Sequence, residues 1–255
     1  MIGHYVALAL RNFRRRKTGT IIKILALSMG LACFVSAYMI SDYFESVDAG
    51  FAKSTRTYLV RAAIRWPGAG TSLPFQDGTS GPIARTLKQE IPAIEETVRV
   101  SNGHYAIKVG DKKSVRSVYF ADPNFFDIFD FRFLSGDSAT ALTGPRSALL
   151  SEATAKALFG TTDVIGKTIR LNNFIDLNVT GVIAESPAPS RFGYSLISRP
   201  FEILASNDVL DDLVQTDRGI RPSTDTTAWF VPYYWTFLLF PADGSLTLAD
   251  FDRRV

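Results

Sequence analysis

Hydrophobic and polar residues are unevenly distributed along the chain. From Ile21 to Ile40, IIKILALSMGLACFVSAYMI, an apolar run carries one charge, Lys23. At about 1.5 Å of rise per residue, a helix of this length covers about 30 Å, the hydrocarbon thickness of a bilayer. The pattern predicts a transmembrane helix over residues 20–43, with Lys23 one turn inside, where a long side chain reaches the headgroups, and Asp42 closing the other end. A cleavable signal peptide shares the basic head, apolar middle and small residues at Val35-Ser36-Ala37, but the apolar run exceeds the ~7–15 residues of a signal sequence. Within the predicted span Ala26, Gly30, Cys33 and Ala37 recur at steps of four, three and four, a small-residue stripe of the kind that lets membrane helices approach closely.

Ahead of the span, Ile2, Val6, Ala9, Leu10 and Phe13 share one helical face, and His4, Arg11, Arg14 and Arg15 lie largely opposite. Residues 1–19 therefore read as a basic amphipathic helix in the cytoplasmic interface, ended at Thr18-Gly19, or as a basic tail that serves topology alone. Arg11, Arg14, Arg15, Arg16 and Lys17 stand before the span with no acid among them, so the positive-inside rule puts them in the cytoplasm and residues 44–255 outside.

Beyond the span the period shortens. Strands are expected at Thr57–Ile64, Glu95–Ser101, Tyr105–Val109, Ser114–Ala121 and Ser147–Leu150, with a Gly/Pro/Ser-rich loop over Trp66–Gly81. Pro82 suits the first position of a helix whose Ile83, Leu87 and Ile91 recur by fours before Pro92. Asp122, as cap, and Pro123 open a short aromatic helix whose Phe125, Phe126 and Phe129 are expected to fill a core. Ser151 caps a helix to Phe159 that Gly160 ends. Gly166–Ile183 reads as a hairpin turning at Asn172-Asn173, with Ile175, Leu177 and Val179 inward. Trp229–Phe240 reads as a strand pair, and Thr247–Val255 as the start of an amphipathic helix. Helices beside antiparallel strands make the fold class α+β, one N-terminal transmembrane helix followed by a large outer domain.

Charge and chemistry narrow the function. The first 43 residues hold six Lys and Arg against one acid; of 28 basic and 25 acidic residues in the chain, that leaves 22 and 24 beyond. A mildly acidic outer domain does not fit nucleic acid as a partner. The lone cysteine, Cys33, lies in the span, so no disulfide forms in the outer domain. His4 and His104 fall on opposite sides of the span, which leaves no His-based triad and no Cys/His metal site. Asp211-Asp212 and Glu95-Glu96 read as solvated charges, and no phosphate-binding G-x-x-x-x-G-K-[ST] loop occurs. No catalytic, cofactor-binding or metal-binding residue is expected.

One ordered series is recognisable: Tyr119-Phe120-Ala121-Asp122-Pro123-Asn124-Phe125-Phe126-Asp127-Ile128-Phe129, Leu134-Ser135-Gly136-Asp137 with Ala139–Leu142, Leu150-Ser151-Glu152 through Ala157-Leu158-Phe159-Gly160, Val164-Ile165-Gly166-Lys167 and Val179-Thr180-Gly181-Val182. It resembles the MacB-like periplasmic core domain of FtsX-type ABC transporter permeases, and Arg11-Asn12-Phe13-Arg14-Arg15 with the following span resembles that family's start. The resemblance implies a two-lobed periplasmic domain over residues 44–255, one lobe inserted at about 118–195 with the three phenylalanines in its core. It also implies an inner-membrane location, a separate cytoplasmic ABC ATPase, and packing of the span on other permease helices or in a homodimer, amid membrane lipid. Complete members return to the membrane after the domain, so the chain to Val255 corresponds to an N-terminal part of a permease. The function expected is a non-catalytic permease subunit of an export or mechanotransmission system. A membrane-anchored ligand-binding or sensor domain is the competing class, and an anchored hydrolase is more distant.

Overall fold

The structure, a computed structural model, describes residues 17–62, 77–186, 189–193, 200–225, 229 and 232–254. It divides into two units, residues 1–47 and 48–255. In the first, α1 (Lys17–Glu45) is one unbroken helix of 29 residues with no buried residue. Its outward apolar surface includes Leu27, 75 % exposed, and Phe34, 69 %. That is long and apolar enough to cross a membrane. Thr18 and Gly19, where a break is expected, lie inside this helix, since an interior glycine costs only about 1 kcal/mol; residues 1–16 ahead of it lie outside the described residues.

The second unit is built on a nine-stranded sheet. Its spine is a long hairpin, β2 (Glu96–Val109) and β3 (Lys112–Ala121), turning at Gly110 with φ +55°. The sequence predicts two strands where β2 runs as one: Asn102 and Gly103 pair through with Tyr119 and Val118. A Cβ on Gly103 would lie 2.7 Å from the Tyr105 ring, which folds back over it. The first half of β2 pairs with β9 (Trp235–Leu239), which pairs with β1 (Thr57–Leu59). Of the strand pair expected over Trp229–Phe240, Phe230 and Val231 lie outside the described residues, which show one strand, β9. Pro232, which lacks an amide donor, lies ahead of it. The strand expected over Thr57–Ile64 ends at Leu59, and Ile64 lies outside the described residues.

The other edge curls round. β3 pairs in parallel with β8 (Ile203–Ser206), β8 with β5 (Ser147–Ser151), β5 with β7 (Ile175–Ile183), and β7 with β6 (Thr168–Leu171). β6 then pairs at Leu171–Ile107 and Arg170–Lys108 with the far half of β2. Six strands therefore close into a ring, and β4 (Phe133–Ser135) extends the end of β7.

Period-two alternation assigns each strand's residues to two cores. Val118 and Phe120, Ala148 and Leu150, and Ile203 and Ala205 join Ile107, Ile169, Leu171, Leu177 and Val179 inside the ring. The alternate residues Tyr119, Ala121, Leu149 and Leu204 face the second core. Two helices pack against the ring core: α4 (Glu152–Phe159) through Ala155 and Leu158, and α5 (Asn207–Arg218) through Val209, Leu210 and Val214. As the sequence predicts, Ser151 Oγ accepts from the Thr154 amide and Gly160 closes α4 at φ +75°. Asn172 and Asn173 both take positive φ, 47° and 64°, in the β6–β7 turn. A third, smaller core gathers Ile91, Ile94, Leu238, Phe240 and Leu246 beneath α2 (Gly81–Glu90), with Phe251 from the terminal helix α6 (Leu248–Asp252).

Candidate functional site

Three places hold the residues that the sequence marks or conceals. The first is α1. Ala26, Gly30, Cys33 and Ala37 all lie in it, and steps of four, three and four at 3.6 residues per turn keep them on one face. A Cβ on Gly30 would meet nothing within 4 Å. Lys17 opens the described helix and Lys23 stands further along it, whereas Arg11, Arg14, Arg15 and Arg16 lie outside the described residues.

The second is the chain just beyond the helix, where the 48–255 unit begins. Asp48 takes φ +67°, a left-handed conformation that Asp tolerates better than most residues. Its Oδ1 accepts from Ser190 Oγ and the Arg191 amide, both at 2.8 Å, and its Oδ2 accepts from Arg191 Nε at 3.0 Å. The Asp48 amide donates to the Pro189 carbonyl at 3.0 Å. Three residues on, Phe51 is 3 % exposed, its ring 5.2 Å from both Phe129 and Phe131. The Ala52 amide donates to Asp130 Oδ1 at 3.0 Å and Lys53 Nζ to the Asp127 carbonyl. A stretch of chain from Asp48 to Lys53 is thereby held both to 189–192 and to the turn that follows α3 (Phe125–Ile128).

Phe125 and Phe129 are buried, and Phe126 is half-buried against Phe133 at 4.8 Å. The core they enter also takes Phe51, Val98, Phe192, Phe237 and Leu239, so residues from both sides of 118–195 share it. The cap of α3 is Asn124 rather than the expected Asp122. Asp122 is occupied elsewhere, and its partner marks the third place.

Arg99 donates to both carboxylate oxygens of Asp122, Nη2 to Oδ1 at 2.8 Å and Nε to Oδ2 at 2.9 Å. Asn207 Nδ2 donates to Asp122 Oδ1 at 2.7 Å, and Arg99 Nη1 to the Ser223 carbonyl at 2.8 Å. The guanidinium lies 5.2 Å from the centre of the Tyr234 ring. Burial alone would lower the Arg99 pKa; the hydrogen bond and charge of Asp122 outweigh it and hold the pKa above its ordinary value. Burial likewise pushes the Tyr234 phenol up. Asp211, expected to be solvated, is 2 % exposed and accepts from the Ser223 amide at 2.8 Å and from Ser223 Oγ. It sits one helical turn from Asn207 on the inner face of α5, whereas Asp212 reaches out to Arg146 at 2.9 Å. These carboxylates are tied to donors, so the cluster clasps β2, β3, α5 and the 221–225 turn rather than presenting a base to a substrate.

His104 is exposed on β2, and among the described residues no group of three His, Cys, Asp or Glu is arranged to hold a metal. A pocket of about 270 Å³ opens beside Arg116 and Glu202, between Ala153, Ala157 and Phe201. Two of its charged residues satisfy one another, Glu202 accepting from both Arg116 and the Ser117 amide.

The residues missed from sequence, Asp48 with Arg191, and Arg99 with Asp122 and Asp211, pair across long separations that leave no local signature. The only hint is a charge inside an apolar strand, Val98-Arg99-Val100.

This architecture has relatives. A domain of a permease protein from Porphyromonas gingivalis superposes with a TM-score of 0.62 at 20 % identity, covering 80 % of this chain and 79 % of that one. The periplasmic region of MacB from Actinobacillus actinomycetemcomitans superposes at 0.50 and 14 % identity, covering 78 % and 81 %. At these identities the likeness is one of fold. No curated protein matches the chain. The family model for the MacB-like periplasmic core domain, however, matches residues 20–228. That match spans most of the chain, including most of a helix long and apolar enough to cross a membrane and much of the mixed sheet domain after it, and makes the chain a member of the MacB-like periplasmic core domain family of ABC-type permeases.

Proposed function

We propose that this chain serves as a permease subunit, or the N-terminal part of one, in an ABC export or mechanotransmission system, and that it is non-catalytic. The observation that carries the reading is the joint at Asp48–Lys53: the polypeptide that leaves the membrane helix at Glu45 enters the domain's aromatic core six residues on, at Phe51. A pull on the helix is delivered through the backbone to Asp48 and Phe51, and from there to the α3 turn and the 189–192 segment. In this reading the N-terminus is cytoplasmic, the helix crosses the inner membrane, and residues 48–255 stand in the periplasm. The segment at about 118–195 is the inserted lobe, which shares the ring with β2, β3 and β8. Phe125, Phe126 and Phe129 tie that lobe to the joint.

In this reading energy comes from a separate cytoplasmic ABC ATPase, the kind of partner with which ABC-type permeases work. Arg11, Arg14, Arg15, Arg16 and Lys17 meet the cytoplasmic headgroups, and Ala26, Gly30, Cys33 and Ala37 pack on another permease helix or a second copy. The test is to express residues 1–255 with and without the partner ATPase and the remaining permease helices, and to measure ATP-dependent efflux with cysteine crosslinking from Ala26 and Gly30. Activity and crosslinks in the full set alone are expected. Activity from residues 1–255 by themselves, or a strictly monomeric helix in the full set, overturns the reading.

A further inference from the structure

The clasp around Arg99 is not saturated by protein groups alone. Among the described residues five buried side-chain polar atoms have no hydrogen-bond partner, and three of them border this clasp: Ser80 Oγ, Asn207 Oδ1 and the Tyr234 hydroxyl. Their residues are 3 %, 5 % and 1 % exposed, so bulk solvent does not satisfy them. A buried hydroxyl or amide oxygen without a partner costs stability, and native proteins tolerate few.

Shared neighbours draw the three together. The Gly81 carbonyl accepts from Arg99 Nη1 at 3.3 Å, and Ser80 is the residue before it. A Cβ on Gly81 would lie 3.5 Å from Tyr234 Cε2, a ring atom next to the carbon that bears the hydroxyl, so the phenol end of Tyr234 lies beside the 80–81 backbone. Asn207 Nδ2 donates to Asp122 Oδ1, the oxygen that also accepts from Arg99 Nη2. That contact fixes the amide. A carboxylate oxygen held by Arg99 only accepts, so the nitrogen must face Asp122 and Asn207 Oδ1 must point away from it. Burial, and the charges of Asp211 and Asp122, push the Tyr234 phenol up against the opposing pull of Arg99, so the hydroxyl keeps its proton. It needs an acceptor, and Asn207 Oδ1 needs a donor.

A partner for both must donate and accept. Ions do not fit, because Arg99 repels a cation and Asp122 and Asp211 repel an anion. A small neutral molecule that does both is water, which when buried typically makes about three hydrogen bonds to such groups. A groove of about 120 Å³, whose lining includes Arg85 and Trp229, shares Gly81 and Ser223 with the clasp, so solvent reaches its rim.

We propose that ordered water is built into the Arg99 clasp, accepting from the Tyr234 hydroxyl, donating to Asn207 Oδ1 and bonding Ser80 Oγ. It joins α5 and the chain at Tyr234 to one polar network centred on Arg99.

The test pairs a crystal structure of the full chain, grown in a lipid mesophase and soaked in rubidium, with thermal unfolding of Tyr234→Phe in detergent micelles. Water density within about 2.7–3.2 Å of Tyr234 Oη and of Asn207 Oδ1, with no anomalous signal there, is expected. A clasp without density, or a rubidium peak in it, overturns the proposal. Tyr234→Phe keeps the ring over Arg99 and removes only a hydroxyl that has no protein partner. Loss of its bond to water should lower the midpoint by about 2–4 °C. Removing a hydroxyl with no partner at all is neutral or stabilising, so an unchanged or higher midpoint also overturns the proposal. Neither measurement needs an ATPase or a second permease segment, so failure of the transport reading leaves both outcomes intact.

Discussion

Truncating Phe129 to Ala tests the aromatic core that receives the membrane-proximal chain. Phe129 is 2 % exposed, and its ring centre lies 4.7 Å from Phe192, 5.0 Å from Phe125, 5.1 Å from Phe237 and 5.2 Å from Phe51. Four edge or tilted ring contacts disappear together with the transfer free energy of a phenyl group. The neighbours belong to strands, a helix and two tethered segments, so they cannot all collapse into the void. Loss of about 3–5 kcal/mol follows. For a unit spanning residues 48–255, each kcal/mol moves the midpoint by about 2–4 °C, so the expected fall is about 6–20 °C. The assay is thermal unfolding of the full chain in detergent micelles, followed by near-ultraviolet circular dichroism, with Phe126→Ala as comparison. Phe126 is half-buried and should cost about 1–2 kcal/mol. Shifts under about 1 °C for Phe129→Ala and Phe125→Ala alike would refute the reasoning, because surface changes fall in that range.

Other substitutions probe the joint and the clasp. Gly81→Ala would place a Cβ 1.8 Å from the Pro222 carbonyl oxygen; backbone cannot yield cheaply, so a loss of at least about 1–3 kcal/mol is expected in the same unfolding assay. Asp48→Ala removes the acceptor of the Arg191 and Ser190 bonds and strains a left-handed position, so amide exchange at Phe51 should quicken at least about tenfold; Asp48→Asn, which tolerates that conformation, should quicken it less. Acid should open α6 before the rest. The Thr247 hydroxyl and amide and Arg253 hold the Asp250 carboxyl below its ordinary pKa. That contribution is present above the unfolded value near ~3.9 and is lost as pH falls through the lower folded value. Amide exchange at Phe251 should rise below about pH 4, and exchange there that is independent of pH, after correction for intrinsic rates, contradicts this.

What the sequence made legible is local. Ser151 and Gly160 bound α4 because a capping hydroxyl and a left-handed glycine act within a turn. The Asn172-Asn173 turn and the alternation of Ile175, Leu177 and Val179 emerged for the same reason. The collinear motifs from Tyr119 to Val182 pointed to the family that the 20–228 match establishes. Closure of the ring was hidden, since it depends on β6 meeting β2 across a long stretch of intervening chain. Asp211 read as solvated because it adjoins Asp212, yet the helical period turns one inward to Ser223 and the other outward to Arg146. Asp122 looked like a cap until Arg99, arriving from β2, offered both oxygens a stronger partner. Asp48 and Arg191 are 143 residues apart and carry no pattern at all.

The most direct test asks which side of the membrane holds the domain. With Cys33 replaced by Ser, the substitution Ser138→Cys, at an exposed position on the 136–139 turn, supplies the chain's sole thiol. Cells with a permeabilised outer membrane are treated with a membrane-impermeant maleimide, and the membranes are then extracted with carbonate. The result predicted is a labelled thiol at position 138, on a chain that stays in the membrane fraction and retains residues 1–20. A thiol protected until the inner membrane is lysed, or a soluble chain cleaved near Tyr38, would contradict a tethered periplasmic domain.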